Sequence, residues 1–358
     1  MKKVLVMAGG TGGHIFPALA VAQALQNQGV EISWVGSKKG LEADVVPKAG
    51  IAIDWITIEG LRGKGWLGWF MAPYKLFHAA MQAQQIINKR KPDLVIGMGG
   101  FVTGPGGVVA YLNKKPLVIH EQNAIPGLTN RLLGRIASVV LEAFPGAFNP
   151  KYHAIALGNP VREAFSRVEP PAVRMTNRGP GLRLLVVGGS LGATALNIIT
   201  PKTLAALAKP EMFDVWHQTG KEKYSETRRC YEKKHVQARI EPFIDNMSEA
   251  YAWADVVLCR AGALTVSELA AIGVASILVP FPHAVDDHQT KNAEFLVRAG
   301  AAKLLPQNKL SVHTLSAILN ELLKDRSKIL AMANAALAKR KLDAASQVAK
   351  HCLELANV

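Results

Sequence analysis

Short β-branched runs alternate along this chain with glycine-containing turns and with stretches whose apolar residues recur at helical spacing. This alternation is typical of βα units around a parallel sheet, whose strands are buried on both faces and read as continuous apolar runs. The first unit is predicted to combine a strand at 4–7 with a helix that begins near Pro17 and ends at Gly29. Further strands are predicted at 32–35, 94–96, 117–119 and 139–141, and in the second half at 184–187, 215–217, 255–258 and 276–279.

The chain contains two copies of one local pattern, a strand followed at once by a glycine loop. Residues 184–192 repeat in this way the arrangement of residues 5–13. Residues 159–181 carry several prolines and arginines without an apolar period, which indicates a connection between domains. The predicted fold class is therefore α/β, with two Rossmann-like domains whose parallel sheets are flanked by helices and which face each other across a cleft. The first domain is predicted at 1–161, joined by a C-terminal helix at 342–358, and the second at 162–341.

The composition agrees with two folded domains and adds an expectation about partners. Of 358 residues, 49% are hydrophobic and 19% are charged, which is typical of globular proteins. The net charge of +15 predicts an anionic partner, and nucleic acid, an anionic lipid surface and a phosphorylated ligand all satisfy it. Three dispersed cysteines indicate a reducing cytoplasm. The uncharged stretches 94–113 and 184–201 contain glycine clusters that would expose unpaired backbone to lipid, so no transmembrane helix is predicted.

The first glycine loop, residues 9–14, joins a strand to a helix, where free backbone N–H groups and the helix dipole favour an anion. It lacks the Gly-Lys-Ser/Thr ending of a Walker loop and the GxGxxG spacing of dinucleotide-binding loops. Its glycines either admit a ligand close to the backbone or only allow a tight turn. His14 is the one titratable side chain in this loop, with a reference pKa of about 6.5 that suits a general base. The alternative role for His14 is to hydrogen-bond the loop backbone.

Two further loops lie in the second half of the chain. Residues 188–192 offer the same anion-binding geometry and a hydroxyl at Ser190, which fits a diphosphate. Residues 260–268 follow a strand and enter a helix, so the amides of 263–265 are expected at the carboxyl end of the sheet, where such folds bind ligands. Glu268 lies among apolar residues of that helix, where the two hydroxyls of a ribose would satisfy its carboxylate. Its alternative role is to interact favourably with the helix dipole.

A polar cluster follows the last predicted strand. Its paired aspartates, Asp286 and Asp287, do not form an Asp-x-Asp motif, and His283 and His288 are poorly spaced for ligating one metal ion from a helix. We therefore predict a site that uses neither a metal nor a cofactor, in which Gln289 hydrogen-bonds sugar hydroxyls.

Five motifs occur in the order and spacing of one enzyme family. They are Gly-Gly-Thr-Gly-Gly-His at 9–14, Gly-Met-Gly-Gly-Phe at 97–101, His-Glu-Gln-Asn at 120–123, Gly-Asn-Pro-Val-Arg at 158–162 and Gly-Ala-Leu-Thr-Val-Ser-Glu at 262–268. Over essentially its whole length the chain resembles the bacterial UDP-N-acetylglucosamine:undecaprenyl-pyrophosphoryl-N-acetylmuramoyl-pentapeptide N-acetylglucosaminyltransferases of peptidoglycan synthesis, which have the GT-B fold. The resemblance implies that the first domain binds the acceptor and the membrane and that the second binds the UDP-sugar donor.

The resemblance also implies roles for individual residues. The C4 hydroxyl of the muramoyl sugar of undecaprenyl-linked lipid I would attack UDP-N-acetylglucosamine with inversion and give lipid II, with His14 as the base and Glu121 in reserve. Ile244 would bind uracil through its backbone, Glu268 the ribose, and Gln289 the N-acetylglucosamine. The donor-binding residues implied are Thr11, Gly12, Gly13, Asn123, Arg162, Ser190, Ile244, Ala263, Leu264, Thr265, Val266, Ser267, Glu268 and Gln289.

A segment that combines tryptophans with basic residues predicts contact with an anionic membrane surface. Tyr74, Phe77 and Met81 continue its apolar face at helical spacing. The alternative is a buried helix face, since most aromatic stripes belong to a core. The predicted membrane contacts are Trp66, Leu67, Trp69, Phe70 and Lys75. Together with the resemblance, they predict a peripheral protein on the cytoplasmic face of the bacterial inner membrane, with cell-wall synthesis proteins as candidate partners.

Two other function classes are compatible with parts of this pattern. A UDP-N-acetylglucosamine 2-epimerase has the same fold and donor but needs no acceptor, and the membrane segment argues against it. A nucleic-acid-binding module would explain the net charge, but no recognised motif or aromatic-basic repeat accompanies that charge, so nucleic acid is not predicted as a partner.

Overall fold

A computed structural model describes residues 1–58, 71–176, 178–189 and 191–357 of the chain. These residues form two compact units, Met1–Arg162 with Lys341–Val358, and Glu163–Arg340. Each unit contains one sheet flanked by helices, and the strand pairs described in both sheets are parallel. The predicted α/β class with two parallel sheets is therefore confirmed.

The first unit contains a seven-stranded sheet with the strand order β3-β2-β1-β4-β5-β6-β7. Its strands are β1 Lys3–Met7, β2 Glu31–Gly36, β3 Ala52–Trp55, β4 Leu94–Gly97, β5 Leu117–Glu121, β6 Val139–Glu142 and β7 Ile155–Ala156. Its helices are α1 Gly12–Gln26, α2 Glu42–Lys48, α3 Ala72–Arg90, α4 Thr103–Leu112 and α5 Leu128–Leu133, with a 3-10 turn at Pro150–Tyr152.

The second unit contains a six-stranded sheet with the order β10-β9-β8-β11-β12-β13. Its strands are β8 Leu182–Val187, β9 Phe213–Gln218, β10 Arg239–Glu241, β11 Val256–Cys259, β12 Ala275–Leu278 and β13 Ala302–Leu304. Its helices are α6 Pro171–Arg174, α7 Thr194–Ala205, α8 Tyr224–Lys233, α9 Met247–Trp253, α10 Ala263–Ile272, α11 His288–Arg298, α12 Val312–Lys324 and α13 Arg326–Leu337. Its 3-10 turns are Glu163–Arg167, Pro210–Met212, Lys221–Lys223, Val285–Asp287 and Gln307–Lys309.

The last helix, α14 (Ala344–Leu355), belongs to the first unit. Val348 and Ala349 lie fully buried in the same core cluster as Ile15 and Val21 of α1. Burial of one aliphatic side chain of this size contributes about 1.5–3 kcal/mol, so the apolar face of α14 fixes the end of the chain to the unit in which the chain begins.

The strand order reverses direction between β1 and β4 in the first sheet and between β8 and β11 in the second. In open parallel sheets ligands bind beyond the carboxyl ends of the strands at such a reversal. The loops at these two positions are the ones that follow β1, β4, β8 and β11. They carry four of the glycine-containing motifs of the sequence, so the topology places those motifs where a ligand is expected.

One prediction about local structure was wrong, and a second holds only in part. Helix α1 begins at Gly12 rather than near Pro17, and Pro17 lies inside the helix, which tolerates the loss of one N–H bond there. The boundary between the two units, after Arg162, falls inside the predicted connection at 159–181, but most of that stretch packs into the second unit. The guanidinium of Arg174 donates to the Ile272 carbonyl at 2.8 Å, and Arg178 pairs with the buried Asp255 at 2.5 Å.

Candidate active site

The first glycine loop is hydrogen-bonded to the buried carboxylate of Glu42. Glu42, at the start of α2, has no exposed surface, and its Oε2 accepts a hydrogen bond from the Gly10 N–H at 3.0 Å. Its Oε1 accepts from the backbone N–H and the hydroxyl of Ser37, at 2.9 and 2.8 Å. A side chain at Gly9 would place its Cβ 2.8 Å from the same Oε1 atom. Sequence reasoning missed Glu42, which follows the second strand and Gly40 but belongs to no recognised motif.

The loop that follows β4 packs directly on the first glycine loop. Gly99 and Gly100 have φ angles of +97° and +84°, in the region that favours glycine. A Cβ at Gly99 would lie 2.6 Å from the imidazole Nδ1 of His14, and a Cβ at Gly100 would collide with the carbonyl oxygen of Gly9. The Gly-Met-Gly-Gly motif is therefore required for two backbone segments and one imidazole ring to share this space.

His14 lies half-buried in the first turn of α1, between the Gly99 backbone and the side chain of Gln122. Its Nδ1 is 2.8 Å from Gln122 Oε1. Gln122 in turn lies against His120, which has no exposed surface and whose Nε2 is 3.0 Å from the Gly158 carbonyl oxygen. Burial lowers the pKa of His120 to about 4. The sequence motif at 120–123 thus places one side chain against His14, and that side chain, Gln122, was not predicted.

Glu121 points away from this arrangement and organises the loop that follows β5. Its Oε1 accepts from the N–H and the side-chain amide of Asn123, at 2.9 and 3.1 Å. Its Oε2 accepts from the Gly127 N–H at 3.1 Å and from the Asn130 side chain at 2.9 Å. Four donors therefore occupy a carboxylate that is only 2% exposed. This environment suits a residue that shapes the loop around Asn123 better than one that takes a proton from a substrate.

Other residues predicted in the first unit lie at the start of α1. Thr11 is the N-cap residue of this helix, and Gly12 and Gly13 form its first two positions. The first amides of a helix have no intrahelical partner, so those of Gly12 and Gly13 are not used within α1. The guanidinium of Arg162 lies 5.9 Å from the ring centroid of Phe16, one turn along the same helix.

The second glycine loop, after β8, is braced by Gln218 at the end of β9. Its side chain accepts from the Gly189 N–H at 3.1 Å and donates to the Gly189 carbonyl at 2.9 Å. The Gly192 N–H donates to the same carbonyl at 2.9 Å. These two glycine amides are thus used within the loop, whereas the first-turn amides of α7 have no intrahelical acceptor. The predicted contact Ser190 lies outside the described residues.

The third loop enters α10 through Gly262, so the predicted residues Ala263, Leu264 and Thr265 form the first turn of this helix. Val266 is fully buried, so any ligand contact it makes is through its backbone. Ser267 donates from its hydroxyl to the Ala263 carbonyl at 3.0 Å.

The carboxylate of Glu268 lies inside the second unit, with only 7% of the residue exposed. Its Oε2 is 3.4 Å from the hydroxyl of Tyr251, which is 1% exposed. Ile244, the predicted uracil contact, is also buried, so a base would meet its backbone rather than its side chain.

Gln289 lies at the start of α11 and hydrogen-bonds to both the loop after β11 and the loop after β12. Its Oε1 accepts from the Ala261 N–H at 3.3 Å and from the Phe281 N–H at 2.9 Å. Asn292, one turn later, donates to the Ala261 carbonyl at 3.2 Å. The oxygen of Gln289 is therefore engaged in holding the loops, so a sugar hydroxyl would be read by its side-chain NH₂ group.

Within the described residues, no three His, Cys, Asp or Glu side chains come together as metal ligands would. The same residues contain no helix that is both long and apolar enough to span a bilayer. Four predicted membrane contacts, Trp66, Leu67, Trp69 and Phe70, lie outside the described residues. The fifth, Lys75, is exposed on α3.

Helix α3 nevertheless presents an apolar face to solvent. Tyr74 and Phe77 are each 65% exposed, and Met81 is 49% exposed. Tyr111 and Leu112 of the adjacent helix α4 are 51% and 70% exposed. We call these five residues the α3–α4 patch. The exposure of Tyr74, Phe77 and Met81 argues against the alternative of a buried helix face for this part of the segment, and the contact with lipid stays a prediction.

Comparison with known proteins gives full-length matches. The glycosyltransferase family 28 N-terminal domain model matches residues 4–142, and the C-terminal domain model of the same family matches residues 183–348. The chain is 51% identical over 356 residues to the UDP-N-acetylglucosamine--N-acetylmuramyl-(pentapeptide) pyrophosphoryl-undecaprenol N-acetylglucosamine transferase of Marinobacter nauticus, covering 99% of this chain and 98% of that protein. It is 51% identical over 355 residues to the protein of the same name from Nitrosococcus oceani, covering 99% of each. Among solved structures, Acinetobacter baumannii MurG matches with a TM-score of 0.86 and 39% identity, covering 99% of this chain and 100% of that one.

Proposed function

Because the chain belongs to the family of UDP-N-acetylglucosamine–N-acetylmuramyl-(pentapeptide) pyrophosphoryl-undecaprenol N-acetylglucosamine transferases, we propose that the residues gathered around His14 and Glu268 perform that family's reaction. The chain is a glycosyltransferase that moves N-acetylglucosamine from UDP-N-acetylglucosamine to lipid I and forms lipid II in peptidoglycan synthesis. The alternative of a 2-epimerase is set aside, because relatives at this identity and coverage are transferases. The single observation that carries the catalytic proposal is the position of His14, half-buried with one ring nitrogen already engaged.

The donor site is assigned to the second unit. The first-turn amides of α10 and α7 supply N–H groups for the diphosphate, and the helix dipoles add to their effect. The carboxylate of Glu268 binds the ribose hydroxyls, the backbone of Ile244 binds uracil, and the Gln289 amide binds the sugar.

The acceptor site is assigned to the first unit, with His14 Nε2 as the general base. The C4 oxygen of the muramoyl sugar bonds to the anomeric carbon while the bond from that carbon to UDP breaks, so the configuration inverts. The hydroxyl proton passes to His14 Nε2, and the bonding electrons leave with UDP. Backbone amides stabilise the developing diphosphate charge without a metal ion, and orientation of the two substrates supplies much of the rate enhancement. Glu121 shapes the loop that positions Asn123.

Transfer of labelled N-acetylglucosamine to a lipid I analogue tests these roles. His14→Ala should lower kcat by about 10²–10⁴-fold, the usual contribution of a positioned general base, with little change in the donor KM. Glu268→Ala should mainly raise the donor KM, since it removes a binding contact. His313→Ala, at an exposed position on α12, is the matched control and should retain native kinetics. Native activity in both His14→Ala and Glu268→Ala would refute the site assignment.

We further propose that the α3–α4 patch binds the membrane surface that carries the lipid acceptor, on its cytoplasmic side. Exposed aromatic and aliphatic side chains lie here beside exposed Lys75, an arrangement that favours an anionic lipid interface. A contiguous exposed apolar surface is uncommon on proteins that contact only water. The net charge of +15 acts in the same direction.

Flotation with liposomes that contain anionic lipid tests this association. Tyr74→Ser and Phe77→Ser should each reduce the bound fraction, because each removes an exposed aromatic side chain from the lipid contact. Val173→Ser alters a side chain that is 56% exposed in the second unit and should bind as the native chain does. If a variant that combines Tyr74→Ser and Phe77→Ser floats as well as the native chain, the proposal is contradicted.

A further inference from the structure

A continuous series of hydrogen bonds leads from His14 into the interior of the first unit. His14 Nδ1 lies 2.8 Å from Gln122 Oε1. The Gln122 Nε2 atom lies 3.1 Å from His120 Nδ1 and 3.1 Å from the His120 carbonyl oxygen. His120 Nε2 lies 3.0 Å from the carbonyl oxygen of Gly158. The series therefore joins three of the sequence motifs, those at 9–14, 120–123 and 158–162.

At the buried end of the series, the partners of His120 determine which of its ring nitrogens carries the proton. The Gly158 carbonyl can only accept, so His120 Nε2 carries a proton and donates it. Because burial lowers the pKa of His120 to about 4, its ring is neutral near pH 7 and its Nδ1 carries only a lone pair. Nδ1 must then accept from the Gln122 amide.

The proton positions at the His14 end of the series follow from those at His120. The NH₂ group of Gln122 faces two acceptors, His120 Nδ1 and the His120 carbonyl, so its oxygen must face His14. The reversed amide would put its oxygen against both acceptors, and Gln122 is only 1% exposed, so water cannot compensate. An amide oxygen accepts only, so His14 Nδ1 has to be protonated. In the neutral ring the lone pair is then on Nε2.

We propose that Gln122 and His120 are positioning residues that fix the tautomer of His14, so that Nε2 presents its lone pair to the acceptor hydroxyl. This inference rests on the proposed function of His14 as the base. When Nε2 takes the hydroxyl proton, the ring becomes an imidazolium that keeps its Nδ1 proton on Gln122 Oε1, and this bond strengthens because its donor is now charged. After UDP leaves, the proton on Nε2 is lost to water and the starting tautomer returns.

The far end of the series is fixed by the fold. Gly158 has a φ angle of +89°, and a Cβ there would lie 2.5 Å from the Cβ of Lys341, where the chain re-enters the first unit. The Asn159 side chain donates to the Gln122 carbonyl at 3.0 Å, which holds the same segment against the loop after β5. The Gly158 carbonyl is thus a fixed acceptor that orients the series.

Charged groups on the elements around His14 are engaged elsewhere. The carboxylate of Glu42 binds Gly10 and Ser37, that of Glu121 binds its own loop, and Arg162 lies over Phe16. In the loop after β4, Gly99 lies against the ring and has no side chain to titrate. Gln122 is therefore the side chain through which the protonation of His14 can be changed selectively.

The direct test is NMR of the full chain labelled with ¹⁵N-histidine, with His14→Ala used to assign the His14 signals. The native chain at a pH where His14 is neutral should show the tautomer protonated at Nδ1. Gln122→Met should shift His14 toward the tautomer protonated at Nε2, which prevails for histidine in water. A native His14 protonated at Nε2, or an unchanged tautomer in Gln122→Met, would overturn the proposal whatever the activity.

Kinetics supply a second readout. Gln122→Met should lower kcat about 10- to 100-fold with an unchanged donor KM, and should have no further effect in the His14→Ala background. If Gln122→Met does not fold, Gln122→Leu removes the same acceptor from His14 Nδ1 and should shift the His14 tautomer in the same NMR experiment. An unchanged tautomer in that variant would overturn the proposal. Failure of the base assignment itself is recognised separately, because His14→Ala would then be active.

Discussion

Gly99→Ala tests whether the position of His14 depends on the contact between the loops after β1 and β4. The added Cβ would lie 2.6 Å from His14 Nδ1, whereas ordinary contact begins at 3.4 Å, so the ring has to move by about 0.8 Å. The ring is held on its other side by Gln122 at 2.8 Å, so this movement disturbs the hydrogen bond or displaces Nε2. Because a displacement of about 1 Å can reduce the rate about 10²-fold, kcat should fall by roughly that factor.

The backbone at Gly99 adds a second effect that has to be separated from the first. An alanine at a φ angle of +97° destabilises the fold by about 1–2 kcal/mol, independently of any contact. Gly29→Ala is the matched control, because Gly29 also has a positive φ, of +77°, but no atom lies within 4 Å of its added Cβ. Both variants should lose similar stability in urea titrations, and only Gly99→Ala should lose kcat in the lipid I assay. A folded Gly99→Ala protein with native kcat would refute the reasoning.

Two further predictions concern stability. Burial lowers the pKa of His120 to about 4 and that of His217 to about 3, whereas both titrate near 6.5 when unfolded. The unfolded chain therefore binds more protons below pH 6.5, and the free energy of unfolding should fall by about 2 kcal/mol per histidine between pH 7 and pH 5 in urea titrations. A His217→Gln variant that shows the full native pH dependence would contradict this. Arg178→Met should lower the free energy of unfolding, because it removes the nearer of the two arginines that pair with Asp255, which is 1% exposed. The loss should stay below the about 3–5 kcal/mol of a buried charge left without a partner, because Arg326 remains 3.3 Å from the Asp255 carboxylate. Arg228→Met at an exposed pair should change little, and equal midpoints for the two variants would count against the buried pair.

Elements that rest on local patterns were predictable from the sequence. Strands buried on both faces appear as uninterrupted apolar runs, and β4 and β11 were found in this way. The start of α1 was not, because Pro17 is compatible with a first helical position and equally with a place inside an early turn. The helix begins at Gly12 instead, so that the residues predicted to bind an anion became its first turn.

The candidate site was predictable only as far as its own motifs reach. His14, Glu268 and Gln289 could be proposed from the sequence because each follows the end of a predicted strand. The partners of these residues are distant in sequence: Gln122 lies 108 residues from His14, and Ala261 lies 28 residues from Gln289. Such pairs are brought together by the order of strands in the sheet, which a single sequence does not reveal. For the same reason the sequence could not show that the Glu121 carboxylate, a candidate base, accepts four hydrogen bonds from its own loop in the structure.

The loops after β1 and β8 have similar glycine patterns, but the residues that hydrogen-bond to these loops differ between the two halves of the chain. In each sheet the first strand ends in a loop whose left-handed glycine needs an acceptor for its N–H. Glu42 supplies that acceptor to Gly10 in the first unit, and Gln218 supplies it to Gly189 in the second. A positive φ restricts the residue to glycine, whereas any buried oxygen at the right distance satisfies an N–H. The sequence therefore repeats the glycines of the two loops, but it does not repeat the residues that accept their hydrogen bonds. Because both supports are made by the protein itself, the backbone of each loop is held in place before a substrate binds, as the proposed electrostatic catalysis without reorganisation requires.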